Sequence, residues 1–161
     1  MNKTNAMRLL DNAGIPYLVK TYEYDENNLG GEHVAKIIGM QEEQVFKTLI
    51  TKGDKTGINV FCIPVNSELD LKKAAAISQN KKIDMLPMKE LLPTTGYIRG
   101  GCSPIGMKKK FSTFIDETAL LFEEISVSAG IRGCQMILAP QYLVDFIDAT
   151  ICDVVKFHAK N

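Results

Sequence analysis

The chain has 161 residues, 45% of them hydrophobic, with 19 lysines and arginines against 19 aspartates and glutamates. A chain of this length buries roughly two-thirds of its unfolded surface and needs no disulfides to fold, so one compact domain over residues 1–161 is expected. The balanced charge excludes a global positive field that would pull the protein onto DNA or another polyanion, and any RNA contact must be local.

The four cysteines, Cys62, Cys102, Cys134 and Cys152, lie far apart and form no CxxC pair. The opening MNKTNAMRLL has no apolar run of signal-peptide length, which together with the cysteine usage predicts a reducing cytoplasmic setting. Apolar stretches fall well short of the roughly 18 residues a membrane-spanning helix requires, so no membrane partner is expected.

Thr4 or Asn5 is placed to cap a first helix with Ala6, Leu9, Leu10 and Ala13 at helical spacing, ended near Asn12 by Gly14 and Pro16. Residues 17–24 are aromatic and β-branched and read as a strand. DENNLGG then breaks the pattern before a second helix over 32–38, closed by Gly39. Two strand-like runs, 45–51 and 58–65, joined by the turn-rich KGDKTG, predict an antiparallel hairpin with a longer loop.

Asp70 caps a third helix in LKKAAAIS, KKIDML is a short strand, and Pro87 opens a turn of helix in MKELL. FSTFID, EISVS and CQMILA read as strands, Pro140 opens a helix with an apolar stripe of Leu143, Phe146 and Ile147, and TICDVVKF adds a last strand. An early hairpin and short intervening helices predict an α+β fold: a mixed, mainly antiparallel sheet surrounded by helices rather than a doubly wound parallel one.

Familiar catalytic patterns are missing. His33 and His158 stand near no serine or cysteine in a triad-like arrangement, no HxxxH, HExxH or paired CxxC suggests a metal, and no GxxxxGK[ST] or GxGxxG suggests a nucleotide. Neither a metal nor a cofactor is expected.

Three features remain. Lys47 in QVFKTLI shares a strand face with Val45 and Leu49, while Thr48 points to the other face; a lysine there either guards a sheet edge or serves a site. The run from Gly100 to Gly106, GGCSPIG, lets backbone N–H groups converge on an anion, or is a tight crossover loop. SAGIRG, residues 128–133, sets glycines beside a hydroxyl and a guanidinium suited to a phosphate or carboxyl group, or is a turn with an exposed arginine.

VFKTL, GGCSPIGMKK and VSAGIRG, in this order and with TYEY and LDLKKAA at their separations, resemble the YbaK/EbsC family of aminoacyl-tRNA deacylases over nearly the whole chain. The resemblance implies the barrel-like mixed sheet of the prolyl-tRNA synthetase editing domain. It also implies hydrolysis of the ester between an amino acid and the tRNA 3′ end, namely cysteine on proline tRNA, with alanine the substrate of sibling branches. Substrate assistance is implied too, the thiol of the bound cysteine attacking its own carbonyl, as is prolyl-tRNA synthetase as a presenting partner.

Carried residue by residue, the family's motif lysine falls on Lys47 next to Thr48, and its glycine-serine-proline loop on Gly101, Ser103, Pro104 and Gly106; Tyr22 matches a pocket tyrosine. Gln135 stands where some members carry an acidic residue, and Leu29 where some carry an aromatic.

An aminoacyl ester is already activated, so positioning and oxyanion stabilisation suffice for much of the acceleration. The expected catalytic group is Lys47 with the loop amides of Gly101, Cys102 and Ser103. Tyr22, Leu29, Thr48, Pro104, Gly106, Gly130, Arg132 and Gln135 are expected to bind substrate, and Lys108, Lys109 and Lys110 to meet tRNA phosphates, unless that run is an ordinary solvated face. A rival makes Cys102 a covalent nucleophile; another makes the protein a module that binds tRNA ends or a synthetase without hydrolysis.

Overall fold

The structure, a computed structural model, describes residues 2–156; His158 lies outside them. Helix α1 (Asn5–Asn12) starts where the Thr4 side chain accepts from the Met7 amide. Strand β1 (Leu18–Thr21) is shorter than the aromatic run suggested. Helix α2 (Gly31–Ile38) ends on Gly39, whose φ of 73° is the left-handed conformation that glycine adopts without strain.

The expected hairpin is β2 (Phe46–Gly53) and β3 (Gly57–Pro64), paired in register from Phe46 opposite Pro64 to Gly53 opposite Gly57. Helix α3 (Leu71–Ile77) is capped by Asp70, whose carboxylate accepts from the Lys72 and Lys73 amides. Strand β4 (Ile83–Met85) leads to a 3-10 turn and the short helix α4 (Leu91–Thr95). The chain finishes with β5 (Ser112–Asp116), β6 (Ile125–Ser128), β7 (Cys134–Leu138), α5 (Pro140–Ile147) and β8 (Thr150–Cys152).

The strands form a five-stranded sheet in the order β4-β2-β3-β5-β8 and a three-stranded sheet in the order β1-β7-β6. The pairs β2–β3, β2–β4, β1–β7 and β6–β7 are antiparallel, whereas β3–β5 and β5–β8 are parallel. The sheet content is thus mixed and mainly antiparallel, as expected. One parallel bridge, Val45 to Ser126, joins the two sheets at their seam, so the wall curves like a barrel without closing.

Alternation along β2 and β3 feeds separate cores. Phe46, Ile50, Val60 and Cys62 face the main core with Met7 and Leu10 of α1, Met136 of β7 and Leu143 of α5. Phe61 and Ile63 face a second core beneath α3, where Phe61 stacks on Phe114 with ring centroids 5.1 Å apart. Val45 and Val65 join Val34, Ala35 and Ile38 of α2 in a third.

The third cluster seats α2 against the sheet through Gly31. A Cβ at this position would lie 2.3 Å from the buried Val65 Cγ1. Gly31→Ala is therefore expected to destabilise the fold by about 1–3 kcal/mol through overpacking, read as a lower urea midpoint; a midpoint equal to wild type would show that the contact does not hold the helix in place.

Candidate functional site

Strand β2 has two unlike edges. Its β3 edge is paired throughout, but β4 reaches only the stretch from Thr51 to Gly53, with Leu86 adding one bond to the Ile50 carbonyl. Because the Val65 amide donates to Val45 O, antiparallel alternation turns the main-chain groups of the odd residues toward β3 and those of Phe46, Thr48 and Ile50 away from it. Ile50 uses that direction to reach Leu86, and the Phe46 amide uses it at the parallel bridge to Ser126; Thr48 presents its groups at an open edge.

A cavity of about 570 Å³ lies along this edge, walled by β2, the start of α2, and the two glycine-rich loops. Of the residues expected from sequence, Tyr22, Leu29, Lys47, Thr48, Cys102 and Gln135 line it. Gly100 and Ser128, from the same two motifs, line it as well.

Lys47 is half-buried, its ammonium 3.4 Å from the Val65 carbonyl. Burial holds its pKa below the usual 10.5, against the opposing pull of the Glu32 and Glu68 carboxylates. On the opposite strand face, the Thr48 hydroxyl sits 3.9 Å from Cys62 Sγ. The side wall is fixed by buried Ser126, whose hydroxyl donates to Gln135 Oε1 at 2.8 Å. Burial also raises the Tyr22 phenol, an effect that hydrogen bonding to Gln135 and to the Gly133 backbone opposes.

The first glycine loop divides its tasks. Gly100 turns with a φ of 83°, and the Gly101 amide is committed to Ile98 O at 3.0 Å. Gly101 also lies so close to the second loop that a Cβ would sit 3.1 to 3.2 Å from backbone atoms of Ile131 and Arg132. Ser103 is fully buried and its hydroxyl accepts from the Ile105 amide, so its side chain shapes the loop; contrary to expectation, neither Gly101 nor Ser103 lines the cavity. Among the described residues no backbone carbonyl takes up the Cys102 and Ser103 amides. The Cys102 thiol is pushed up to about 12, first by burial, with a hydrogen bond to Thr95 pulling the other way. At neutral pH it stays protonated and is a poor nucleophile.

Not every expected residue converges here. Pro104 and Gly106 line a separate depression with Lys109 and Lys110, while Gly130 packs near the Tyr97 ring. Arg132 borders a side recess that shares Tyr22, Leu29 and Gly100 with the main cavity. Lys108, Lys109 and Lys110 are exposed, and Lys110 pairs with Asp148 at 3.6 Å.

The cavity also holds groups that sequence reasoning passed over. Asn28, Gly30, Gly31, Glu32 and His33, around the start of α2, and Arg99 all line it. The signal was present in NNLGGEH, where glycines precede a helix with no side-chain cap on its first turn.

A half-buried ammonium is an unfavourable guest in this wall. Between its lowered pKa and 10.5, the native state binds fewer protons than the unfolded chain, so stability rises with pH across that window. Lys47→Met is expected to unfold at higher urea than wild type at pH 7, with the gain shrinking as pH approaches 10.5. A gain that does not change with pH would show that the ammonium carries no such cost.

Residues 28–146 match the family model described as the aminoacyl-tRNA editing domain. The chain is 48% identical over 152 residues to the Enterococcus faecalis protein named "Putative Cys-tRNA(Pro)/Cys-tRNA(Cys) deacylase EbsC", covering 94% of this chain and 93% of that one. It is 24% identical over 124 residues to the Bacillus subtilis protein YwhH, covering 77% of this chain and 78% of that one. A solved structure described as "a putative trans-editing enzyme for prolyl tRNA synthetase" superposes with a TM-score of 0.81 at 21% identity, covering 97% of this chain and all of that one, a likeness of fold. With the family match spanning both glycine loops and β2, the chain belongs to the aminoacyl-tRNA editing domain family.

Proposed function

We propose that this protein removes cysteine wrongly attached to proline tRNA by cleaving the aminoacyl ester, with prolyl-tRNA synthetase presenting the charged tRNA. The observation that carries this reading is the chemistry of the cavity: it offers a cation and, at Cys102, a residue whose backbone amide is unpaired, but no activated nucleophile. Lys47 supplies the cation, and the Cys102 thiol, at about 12, stays neutral.

Such a cavity suits a substrate that brings its own reactivity. In the cysteinyl ester, the substrate thiol loses its proton and its sulfur attacks the ester carbonyl carbon. The bond to the ribose oxygen breaks, that oxygen takes up a proton, and the released thiolactone hydrolyses to cysteine. The Cys102 amide is the donor available to the carbonyl oxygen as it gains charge, and loss of one such donor costs about a hundredfold or more in rate. Lys47 anchors the 3′-terminal nucleotide, and the open edge of β2 at Thr48 offers main-chain partners to the bound end.

The side chain of the amino acid selects the substrate twice, by fit in the cavity and by carrying the attacking thiol. Alanine and proline lack that thiol.

The test is release of labelled amino acid from proline tRNA charged separately with cysteine, alanine and proline. Selective release of cysteine, lost in a folded Lys47→Ala variant, is expected. Selective release of alanine would place the chain in a sibling branch, tRNA binding without release would make it a binding module, and wild-type turnover by Lys47→Ala would remove the lysine from the mechanism.

A further inference from the structure

The run Lys108-Lys109-Lys110 is the most conspicuous basic segment in the sequence, yet it lies beside a different depression from the cavity. Lys109 and Lys110 border the depression lined by Phe111 and Phe146. The Lys110 ammonium is already 3.6 Å from Asp148, and that of Lys108 is 3.4 Å from the Pro93 carbonyl.

The cations at the cavity itself are arranged differently. Arg99 lines the main cavity, and Arg132 lines the recess that opens from it beside Gly100. Arg132 Nε donates to the Arg99 carbonyl at 2.8 Å. The Arg132 stem lies over Gly100, where a Cβ would come within 3.4 Å of its Cγ. Among the described residues, neither arginine has a carboxylate within 4.0 Å.

These contacts leave a defined set of donors. With Nε engaged, the Arg132 guanidinium is oriented, and its two terminal nitrogens remain as a fork of the geometry that phosphate oxygens match. Arg99 adds a second cation on the strand of loop that leads directly into Gly100, Gly101 and Cys102. The first turn of α2 faces the same cavity, but the Glu32 carboxylate in that turn offsets its partial positive charge, so the two arginines are the cations of this rim.

We infer that Arg99 and Arg132 form a clamp for the phosphodiester on the 5′ side of the terminal nucleotide, so that the site recognises an ester carried on a nucleic-acid end rather than a free amino-acid ester. The inference rests on the tRNA-end reading given above. Because Gly101 packs against the backbone of Ile131 and Arg132, a phosphate held between the two arginines also fixes the two loops against each other. The Cys102 amide belongs to one of those loops, so the clamp couples possession of the phosphate to the geometry of the proposed oxyanion donor.

The test compares wild type with the double variant Arg99→Ala/Arg132→Ala, its folding verified by circular dichroism. Affinity for uncharged proline tRNA, measured by fluorescence anisotropy across a salt series, is expected to fall at least tenfold. The slope of log affinity against log salt should shrink by about 0.7 for each single-strand phosphate no longer neutralised. This readout involves no ester, so it stands or falls independently of the amino acid removed.

In the second arm, the loss of kcat/KM on cysteinyl-tRNA is expected to exceed the loss on cysteinyl adenosine, which has no phosphate, by at least fivefold. Arg132→Lys, which keeps the charge but not the fork, should fall between wild type and the double variant. Unchanged tRNA affinity and salt slope, equal losses on the two esters, or transfer of the whole salt dependence to a Lys108/Lys109/Lys110 triple alanine variant would each overturn the clamp.

Discussion

The site depends on an unequal pairing of one strand. β2 is bonded to β3 along its full length, but its other edge is covered only from Ile50 onward, by β4 and Leu86. Had β4 been about three residues longer, the main-chain groups of Thr48 would be used up in the ladder and there would be no gap for a ligand. Backbone donors and acceptors must find partners, so an open edge inside a wall of apolar clusters is a place where a ligand or water is required. The Val45 to Ser126 bridge sets the limit of that gap, since there the second sheet resumes contact.

Lys47 is the cation beside that gap. Strand alternation gives it to the face shared with Val45 and Leu49, where it is half-buried with its ammonium beside the Val65 carbonyl. The charge is held below its ordinary pKa by burial and retained by the more distant carboxylates Glu32 and Glu68. A position that served only the fold would favour an apolar residue here, so the ammonium is a cost that activity must justify. The two glycine loops supply the rest: Gly100 and Gly101 allow close approach to Arg132, and that approach brings sequence segments about thirty residues apart to one rim.

Much of this was legible from the sequence because local chemistry decided it. Thr4 and Asp70 cap their helices, Gly39 and Pro140 end and begin theirs, and KGDKTG between alternating runs makes the hairpin. The motif residues Tyr22, Leu29, Lys47, Thr48, Cys102 and Gln135 do meet in one cavity. What escaped was set by contacts distant in sequence. The parallel pairings β3–β5 and β5–β8 leave no hairpin signal, and the start of α2 joins the site only because Gly31 can lie against Val65. Neighbours in the loop also part company: Gly106, at a φ of 81°, turns away toward Asn5 and Tyr97, so Pro104 and Gly106 face another depression than Gly100 and Cys102.

We propose that the cavity on the open edge of β2 receives the aminoacylated end of the tRNA, which backbone amide NMR during titration with a non-hydrolysable amide analogue of cysteinyl adenosine would test. The account expects the largest shifts at Thr48 and Cys102, with little change at Phe111 and Phe146. Shifts concentrated at Phe111 and Phe146, with the β2 amides unmoved, would contradict it.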